Sequence, residues 1–432
     1  MTGATLPRTL VRDLRDHAGS LVRVCGWVHQ PETGDGATRL TLRDHTGCVR
    51  LRNTGNVELA DQVGELARES AIEAEGTVAR EADGATTVVL SALRLAGGAD
   101  SPLPLGADAA LDARLDWRFL DLRDPRMRLI FEVQTTAERA MRALWEEQGF
   151  LELHSPKLRP LANKSGGDLF AVDYFGRRVF LTQSPQWYKQ MAIAAGFDRV
   201  FEIGPAFRPQ REATPRHDTE FTSVDVELAW ISSLDDVMAH AETLMVRVTE
   251  AVRDRHGDDI ERGFGVRVDV PDTPFPRVSF AEARRIVERS GHVCDSDEDL
   301  DPEGERLLAE HVARDDGDVV FVVDYPERAR PYYHMLGDDG AGDSRSFDLL
   351  YRGLEIASGA QREHRHARLV AQARSRGVPV DQVTQYLDFF RFGCPPHGGF
   401  GLGLTRLLMS LLGVDDVREV TFLFRGPDRI AP

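Results

Sequence analysis

Residues 201–230 read FEIGPAFRPQREATPRHDTEFTSVDVELAW. An apolar strand pattern comes first and carries Arg208; a polar loop with Arg216 and His217 follows. A second strand pattern then carries Asp225 and Glu227. Alternate residues of a strand share a face, so these two carboxylates point the same way. A strand, a loop and a strand thus hold cations over a site and aim carboxylates into it. That combination suits a triphosphate and an amino acid held side by side.

The chain around this segment has 432 residues, too many for one typical domain and suited to two. Residues 1–104 read as five short strands, LVRVCGWVH, ATRLTLRD, CVRLRN, AIEAEGTVARE and TTVVLSALRL, with Gly-rich turns and one helix near Val57–Glu69. This spacing predicts a small barrel of the OB type. SPLPLGADAALDARLDWR follows, proline-rich and then polar, and residues 105–125 are expected to be a linker. From Arg126 to Gly149, Leu129, Val133, Ala137, Met141 and Leu144 recur at helical spacing, with Gly149 as a C-cap. Residues 126–432 are expected to form the second domain, of mixed strands and helices. Asp295–Glu305 reads as an exposed acidic patch.

Composition narrows the classes. No run of about 18 apolar residues exists, and MTGATLPRTLVRDL lacks an apolar signal core, so a cytoplasmic protein without membrane contact is expected. Cys25, Cys48, Cys294 and Cys394 form no CxxC pair; neither zinc nor a disulfide framework is indicated, and each reads as a buried apolar cysteine. A net charge of −17 argues against a broadly nucleic-acid-coating surface but leaves room for a local patch. Only Lys157, Lys164 and Lys189 are lysines. Where arginine carries nearly all the positive charge, a lysine hints at a need for a compact ammonium.

Four further blocks occur in order: GFLELHSPKL (149–158), FLTQSPQWYKQM (180–191), FDLLYRGLEIASGAQREH (347–364) and PPHGGFGLGLTRLLMSLLGVDDVRE (395–419). With the opening segment, they resemble the aspartyl-tRNA synthetase family of class II, in its short archaeal and eukaryotic type. The resemblance covers nearly the whole chain. It implies an α+β fold: an N-terminal OB-fold barrel, then a catalytic domain built on an antiparallel sheet flanked by helices. It also implies a homodimer, through the 149–158 block.

The implied reaction joins an aspartate-like acid to ATP as an acyl adenylate, then transfers it to the 3′ end of tRNA. Positioning and charge stabilisation would carry the catalysis. By resemblance, Arg208 binds the α-phosphate and Arg406 caps the nucleotide near its γ-phosphate. Gln210, Arg216, His217, Phe221 and Glu355 complete the ATP site. Asp348, Glu355 and Ser358 match the family's Mg²⁺ positions, an oxygen set that suits that ion. The glycines of GFGLGL would let backbone approach the ligand. Lys189 and Arg362 match the two cations that hold the substrate's side-chain carboxylate. Two cations favour an acid over an amide, although Lys189 and Asp225 could also form a structural ion pair. Ser184, Gln186 and Asp225 would receive the ammonium.

Several positions depart from the family. Ser165, in LANKSGGDLF, stands where a glutamate of the substrate-closing loop is expected. Gln210 replaces the motif 2 glutamate, and Thr405 an acidic residue. FLFRGPDR replaces a Phe-Pro-Arg-Asp-Pro pattern. In the barrel, Arg39 and Arg50 stand where an aromatic residue and a glutamine read anticodon bases, and stacking is a main source of affinity for splayed bases. The barrel is not globally basic, with 11 arginines against 14 acidic residues. Two alternatives therefore stay open. One is a repurposed paralogue that activates a modified acid or uses tRNA without normal anticodon reading. The other is a non-catalytic ATP- or RNA-binding regulator.

Overall fold

The computed structural model describes residues 6–34, 37–106, 108–160, 169–314, 317–337 and 342–432, with backbone alone at 30–34 and 37–38. The chain divides into two compact units, Met1–Pro125 and Arg126–Pro432.

In the first unit, β1 (Leu21–Gly34), β2 (Ala37–Asp44), β3 (Gly47–Arg52), β4 (Ala71–Arg80) and β5 (Thr86–Gly97) close into a barrel in the order β1-β2-β3-β5-β4. The alternation that marked these strands explains the closure. Leu40, Leu42, Val49 and Leu51 turn inward and are buried, while Arg39 and Arg50 face out and are exposed. A helix, Val57–Gly64, lies between β3 and β4; the Asn56 side chain caps it by accepting from the Leu59 N–H at 3.2 Å. The stretch 105–125 contains two short helices, Leu111–Asp116 and Arg118–Asp121, and belongs to this unit.

The second unit is built on an eight-stranded sheet. Its strands are β6 (Leu151–Glu152), β10 (Arg199–Phe207), β11 (Glu220–Ala229), β12 (Arg277–Ser279), β13 (Val319–Val323), β14 (Ser346–Tyr351), β15 (Leu354–Arg362) and β16 (His397–Gly403). Their order is β12-β13-β14-β15-β16-β11-β10-β6. The interior pairs are antiparallel, and only the outermost pairs, β12/β13 and β10/β6, are parallel. β7 (Leu158–Arg159), β8 (Ala171–Tyr174) and β9 (Arg177–Leu181) form a small separate sheet.

Two long helices, Pro125–Glu147 and Leu234–Phe264, lie against each other. Buried polar contacts join them: Trp145 Nε1 donates to His240 Nε2 at 3.0 Å, and Thr136 Oγ1 meets His256 Nε2 at 2.9 Å. Gly149 adopts φ 75°, the left-handed geometry expected just past a helix end. No helix among the described residues is long and apolar enough to cross a membrane.

Two sequence expectations need correction. All four cysteines are free, but only Cys294 is buried; Cys48 is exposed and Cys25 and Cys394 are intermediate. The acidic patch is not uniformly exposed. Glu305 is buried on the helix Pro302–Val312, because Arg216 and the Glu355 N–H reach its carboxylate.

Candidate active site

A cavity of about 500 Å³ opens on the face of β11, β15 and β16. Six arginines line it: Arg159, Arg208, Arg216, Arg330, Arg362 and Arg406. So do Ser184, Gln186, Gln210, His217, Phe221, Asp225, Asp348, Glu355 and Ser358. The fold thereby gathers most of the predicted site residues from segments as far apart in sequence as Ser184 and Arg406.

The floor is a buried charge network. Lys189, on the helix Gln186–Ala194, is fully buried. Its ammonium lies 2.9 Å from Asp225 Oδ1 and 3.3 Å from Glu227 Oε2, and donates to the carbonyls of Val226 and Phe400. Arg362 donates from Nε to Glu227 at 3.1 Å, from Nη1 to His334 Nε2 at 2.8 Å, and from Nη2 to Gln186 Oε1 and the Gly399 carbonyl. Four of its five N–H groups are thereby placed, which leaves one Nη1 hydrogen for a ligand. Buried charges persist only when paired and hydrogen-bonded, and this network meets that condition. The facing cations hold the Glu227 carboxyl below its ordinary pKa even though burial acts to raise it.

This network changes the electrostatic reading. The sequence pattern counted two cations for a substrate carboxylate. The structure sets Asp225 and Glu227 against them, so the fixed charges of the floor cancel. Lys189 is not on the cavity wall; it sits behind Asp225. Arg362 does reach the cavity.

The glycine run has a task that the sequence did not suggest. Gly399 and Gly401 are the cross-strand partners of Glu227 and Asp225. A Cβ at 399 would sit 2.0 Å from the Val226 carbonyl oxygen and 2.5 Å from Glu227 Oε2; at 401 it would touch Asp225 at 3.4 Å. These glycines make room for the carboxylates, and Gly401 and Gly403 also line the cavity.

The opposite wall is cationic. Arg208 follows the end of β10, where its backbone N–H donates to the Thr219 carbonyl at 2.9 Å. Its guanidinium lies over the Phe221 ring at 5.1 Å. Protein surrounds Arg208, yet the open cavity leaves it exposed to solvent. Among the described residues it pairs with no carboxylate, and crowding and the Arg406 cation lower its pKa.

Arg406, in the first turn of the helix Leu404–Leu412, donates to the Glu355 carbonyl at 2.8 Å, to its carboxylate at 3.3 Å and to His217 Nε2 at 3.1 Å. Burial and the cations of Arg406, Arg208 and Arg216 push the His217 imidazole down to about 4. The ring is therefore neutral, Nε2 accepts from Arg406, and the proton sits on Nδ1 facing Thr214 Oγ1 at 2.6 Å. Arg216 pairs with Glu305 at 2.8 Å, whose carboxyl burial raises to about 7.

At a third corner, Asp348 and Ser358 are cross-strand partners on β14 and β15. Burial and the neighbouring Asp348 raise the Glu355 pKa. Asp348 Oδ1 is buried without a hydrogen-bond partner, and Arg330 donates to Oδ2 at 2.5 Å. Two carboxylates held close, one oxygen unpartnered and a hydroxyl beside them form an oxygen set that fits a hard divalent cation.

Ser165 lies outside the described residues. Arg39 and Arg50 belong to the barrel, where Arg50 pairs across the strands with Thr41 and Arg39 with Arg52.

Sequence reading missed Glu227 as the hub of the floor, although its place two residues after Asp225 was the available signal. It also missed Arg330, Tyr333, His334, Asp218 and Asp299, all of which line the cavity. Asp218 is buried and pushed up to about 7 by that burial. Arg330 and His334 come from the segment between β13 and β14, and only tertiary structure brings them here.

Residues 110–425 match the family described as tRNA synthetases class II (D, K and N). The chain is 40% identical over 425 residues to the aspartate–tRNA(Asp/Asn) ligase of Methanopyrus kandleri, covering 96% of each. It is 38% identical over 424 residues to the aspartate–tRNA(Asp) ligase of Pyrococcus abyssi, covering 96% of this chain and 97% of that one. Among solved structures, asparaginyl-tRNA synthetase from Pyrococcus horikoshii complexed with asparaginyl-adenylate superposes with a TM-score of 0.92 at 30% identity, covering 99% of this chain and all of that one. Aspartyl-tRNA synthetase from Entamoeba histolytica gives 0.88 at 26% identity, covering 99% of this chain and 93% of that one.

Proposed function

Since the chain belongs to the class II tRNA synthetases of the D, K and N group, we propose that it is an ATP-dependent ligase that activates L-aspartate and transfers it to tRNA in the cytoplasm. One observation carries this reading: a single cavity has a hydrogen-bonded polar floor at one side and converging arginines and carboxylates at the other. An amino acid and a triphosphate need those two halves in contact.

In the first step an oxygen of the aspartate α-carboxylate attacks the α-phosphorus of ATP. The new O–P bond forms as the bond to the bridging oxygen breaks, and pyrophosphate leaves. Arg208, exposed to the cavity and paired with no carboxylate among the described residues, takes the charge that develops on the α-phosphate. Arg406, Arg216 and the neutral His217 hold the outer phosphates, with His217 fixing Arg406 without adding charge. Phe221 offers its ring to the adenine, and Gln210 supplies an uncharged contact beside it.

On the floor, the remaining Arg362 hydrogen meets the substrate side chain, while Asp225, Ser184 and Gln186 receive its ammonium; Lys189 holds Asp225 from behind. Ser165 belongs to the segment proposed to close over the amino acid. Asp348, Glu355 and Ser358 would hold Mg²⁺, which would neutralise phosphate charge when bound. In the second step a hydroxyl of the tRNA 3′ end attacks the acyl carbon and AMP leaves.

Arg39 and Arg50 are proposed to contact tRNA from the outer face of the barrel, as stacking planes or phosphate partners. A homodimer through the 149–158 segment completes the proposal; Leu151 on the sheet-edge strand β6 and Leu158 are exposed apolar residues there.

The test is ATP–pyrophosphate exchange with L-aspartate and analogues altered at the amino or side-chain end, followed by charging of tRNA. Exchange that depends on aspartate, with transfer to tRNA, is the expected result. Absence of exchange with every acid would overturn the reading.

A further inference from the structure

A second group of ligand-forming side chains lies outside the cavity, in the segment between the helices Phe280–Arg289 and Pro302–Val312. His292, Cys294 and Asp301 each bring one donor atom to a common point, all within 4.8 Å of one another. His292 Nε2 is 2.9 Å from both Asp301 oxygens. The Asp301 carboxylate is fixed in turn, accepting from the Gly304 N–H at 2.8 Å and the Asp295 N–H at 3.2 Å. Cys294 is buried, and its sulfur packs so closely on Gly304 that a Cβ there would approach it to 2.9 Å. The thiol therefore has little room to turn away.

A histidine–aspartate hydrogen bond alone would explain two of these residues. Cys294 belongs to the apolar cluster of Phe280, Ile286 and Leu308, yet its sulfur also comes within 4.8 Å of both other donors. An imidazole nitrogen, a sulfur and a carboxylate oxygen together form the donor set of a borderline-soft divalent ion such as Zn²⁺, not of Mg²⁺ or Ca²⁺. Bonds of about 2.0–2.3 Å in a tetrahedron place ligand atoms about 3.5 Å apart, so side-chain adjustments of about an ångström would complete the site. His292 and Asp301 are partly exposed, at 29% and 15% of their side chains, which leaves a fourth position to water.

We propose that His292, Cys294 and Asp301 form a zinc-class metal site that clamps the loop 295–300, whose Asp299 lines the catalytic cavity. On binding, the hydrogen that His292 Nε2 directs at Asp301 moves to Nδ1, the ion takes the freed Nε2 lone pair, the Asp301 carboxylate and the Cys294 thiolate, and the thiol proton passes to solvent. The two ends of the loop are thereby tied together, and Asp299 is held at the cavity. The ion is structural, separate from the Mg²⁺ proposed at Asp348, and the inference does not depend on the substrate.

The test uses the full chain, stripped with chelator and re-equilibrated with Zn²⁺ or Co²⁺. Elemental analysis should give one equivalent of retained zinc, and cobalt should produce a thiolate charge-transfer band. Cys294→Ser and His292→Ala should each lose the band and weaken zinc by at least about tenfold; Cys394→Ser should keep both. Limited proteolysis within 295–300 should slow when zinc is present. No cobalt–thiolate band in the parent protein, or equal zinc retention by the parent and by His292→Ala, would overturn the proposal. His292 is partly exposed, so its variant keeps the test decisive if Cys294→Ser fails to fold.

Discussion

Replacing Arg362 with glutamine tests the floor most directly. The parent floor sets two cations, Lys189 and Arg362, against two carboxylates, Asp225 and Glu227, all nearly or fully buried. Arg362→Gln leaves a net negative charge where the substrate carboxylate is proposed to sit. One lost charge-assisted hydrogen bond is worth about 1.5–3 kcal/mol. At about 1.4 kcal/mol per tenfold, that alone lowers kcat/KM for aspartate roughly 10- to 150-fold. An unscreened carboxylate about 6 Å away, at an effective dielectric near 20, adds about 3 kcal/mol of repulsion. Together the two terms give an expected loss of about 1000-fold or more, mainly in KM, because the side chain is bound alike in ground and transition states.

Folding must be measured alongside. Removing one partner of a buried pair typically costs about 3–5 kcal/mol. Glu227 keeps Lys189 at 3.3 Å, so the lower end applies. Arg362→Lys keeps the charge but cannot reach all four present acceptors, and should recover only part of the activity. The assay is ATP–pyrophosphate exchange across aspartate concentrations, with urea unfolding of each variant. A folded Arg362→Gln protein with the parental KM for aspartate would refute the assignment of the floor.

Gly399→Ala should destabilise the protein by about 1–3 kcal/mol or more, because its Cβ would enter the Val226 carbonyl and the Glu227 carboxylate; the urea midpoint reads this. His240 gives a pH signature. Burial pushes its imidazole down to about 4 from an ordinary 6.5. A depressed folded pKa means that its contribution is fully present above 6.5 and is lost as pH falls through about 4. At about 1.4 kcal/mol per pH unit this is roughly 3 kcal/mol, and His240→Gln should flatten that part of the stability–pH curve. Replacing Arg39 and Arg50 together with alanine should leave pyrophosphate exchange intact. It should weaken tRNA binding and lower its salt-dependence slope by up to about 2 if both contact phosphates; an unchanged slope would remove them from the RNA face.

What the sequence made legible was periodic or contiguous. The barrel strands announced themselves through alternation, and β2 falls where ATRLTLRD was read. The long helix runs Pro125–Glu147, one or two residues off the expected ends, because periodicity marks a helix's face and not its last turn. Arg208, Asp225 and Arg406 lie in ordered motifs, and all three reach the cavity.

What stayed hidden depended on long-range contact. Glu305 looked like one more exposed acid until Arg216, 89 positions away, covered it. Arg330 has no periodic or motif signal and meets Asp348, 18 positions on, only once the chain has turned into β14. His292, Cys294 and Asp301 escaped a search for paired cysteines because two of the three donors are not sulfur.

The same network bears on the choice between acid and amide. An asparaginyl enzyme superposes on this chain at a TM-score of 0.92, so the fold does not make that choice. Nor does a count of floor cations, since Asp225 and Glu227 cancel them. What remains is the direction of hydrogen bonds. Arg362 offers an N–H to the cavity, and its other donors are held by Glu227, His334, Gln186 and Gly399. A carboxylate accepts at both oxygens, whereas an amide accepts at one and must present its NH₂ elsewhere. An amide turned with its NH₂ toward Arg362 sets donor against donor, and a buried unmet donor costs about 1–3 kcal/mol, whereas a carboxylate meets that N–H in either orientation. We propose that selection of the acid rests on Arg362 keeping that orientation, which its hydrogen bond to Glu227 holds. Glu227→Gln should then narrow the aspartate-to-asparagine ratio in pyrophosphate exchange. A ratio equal to that of the parent enzyme would assign the discrimination to other groups.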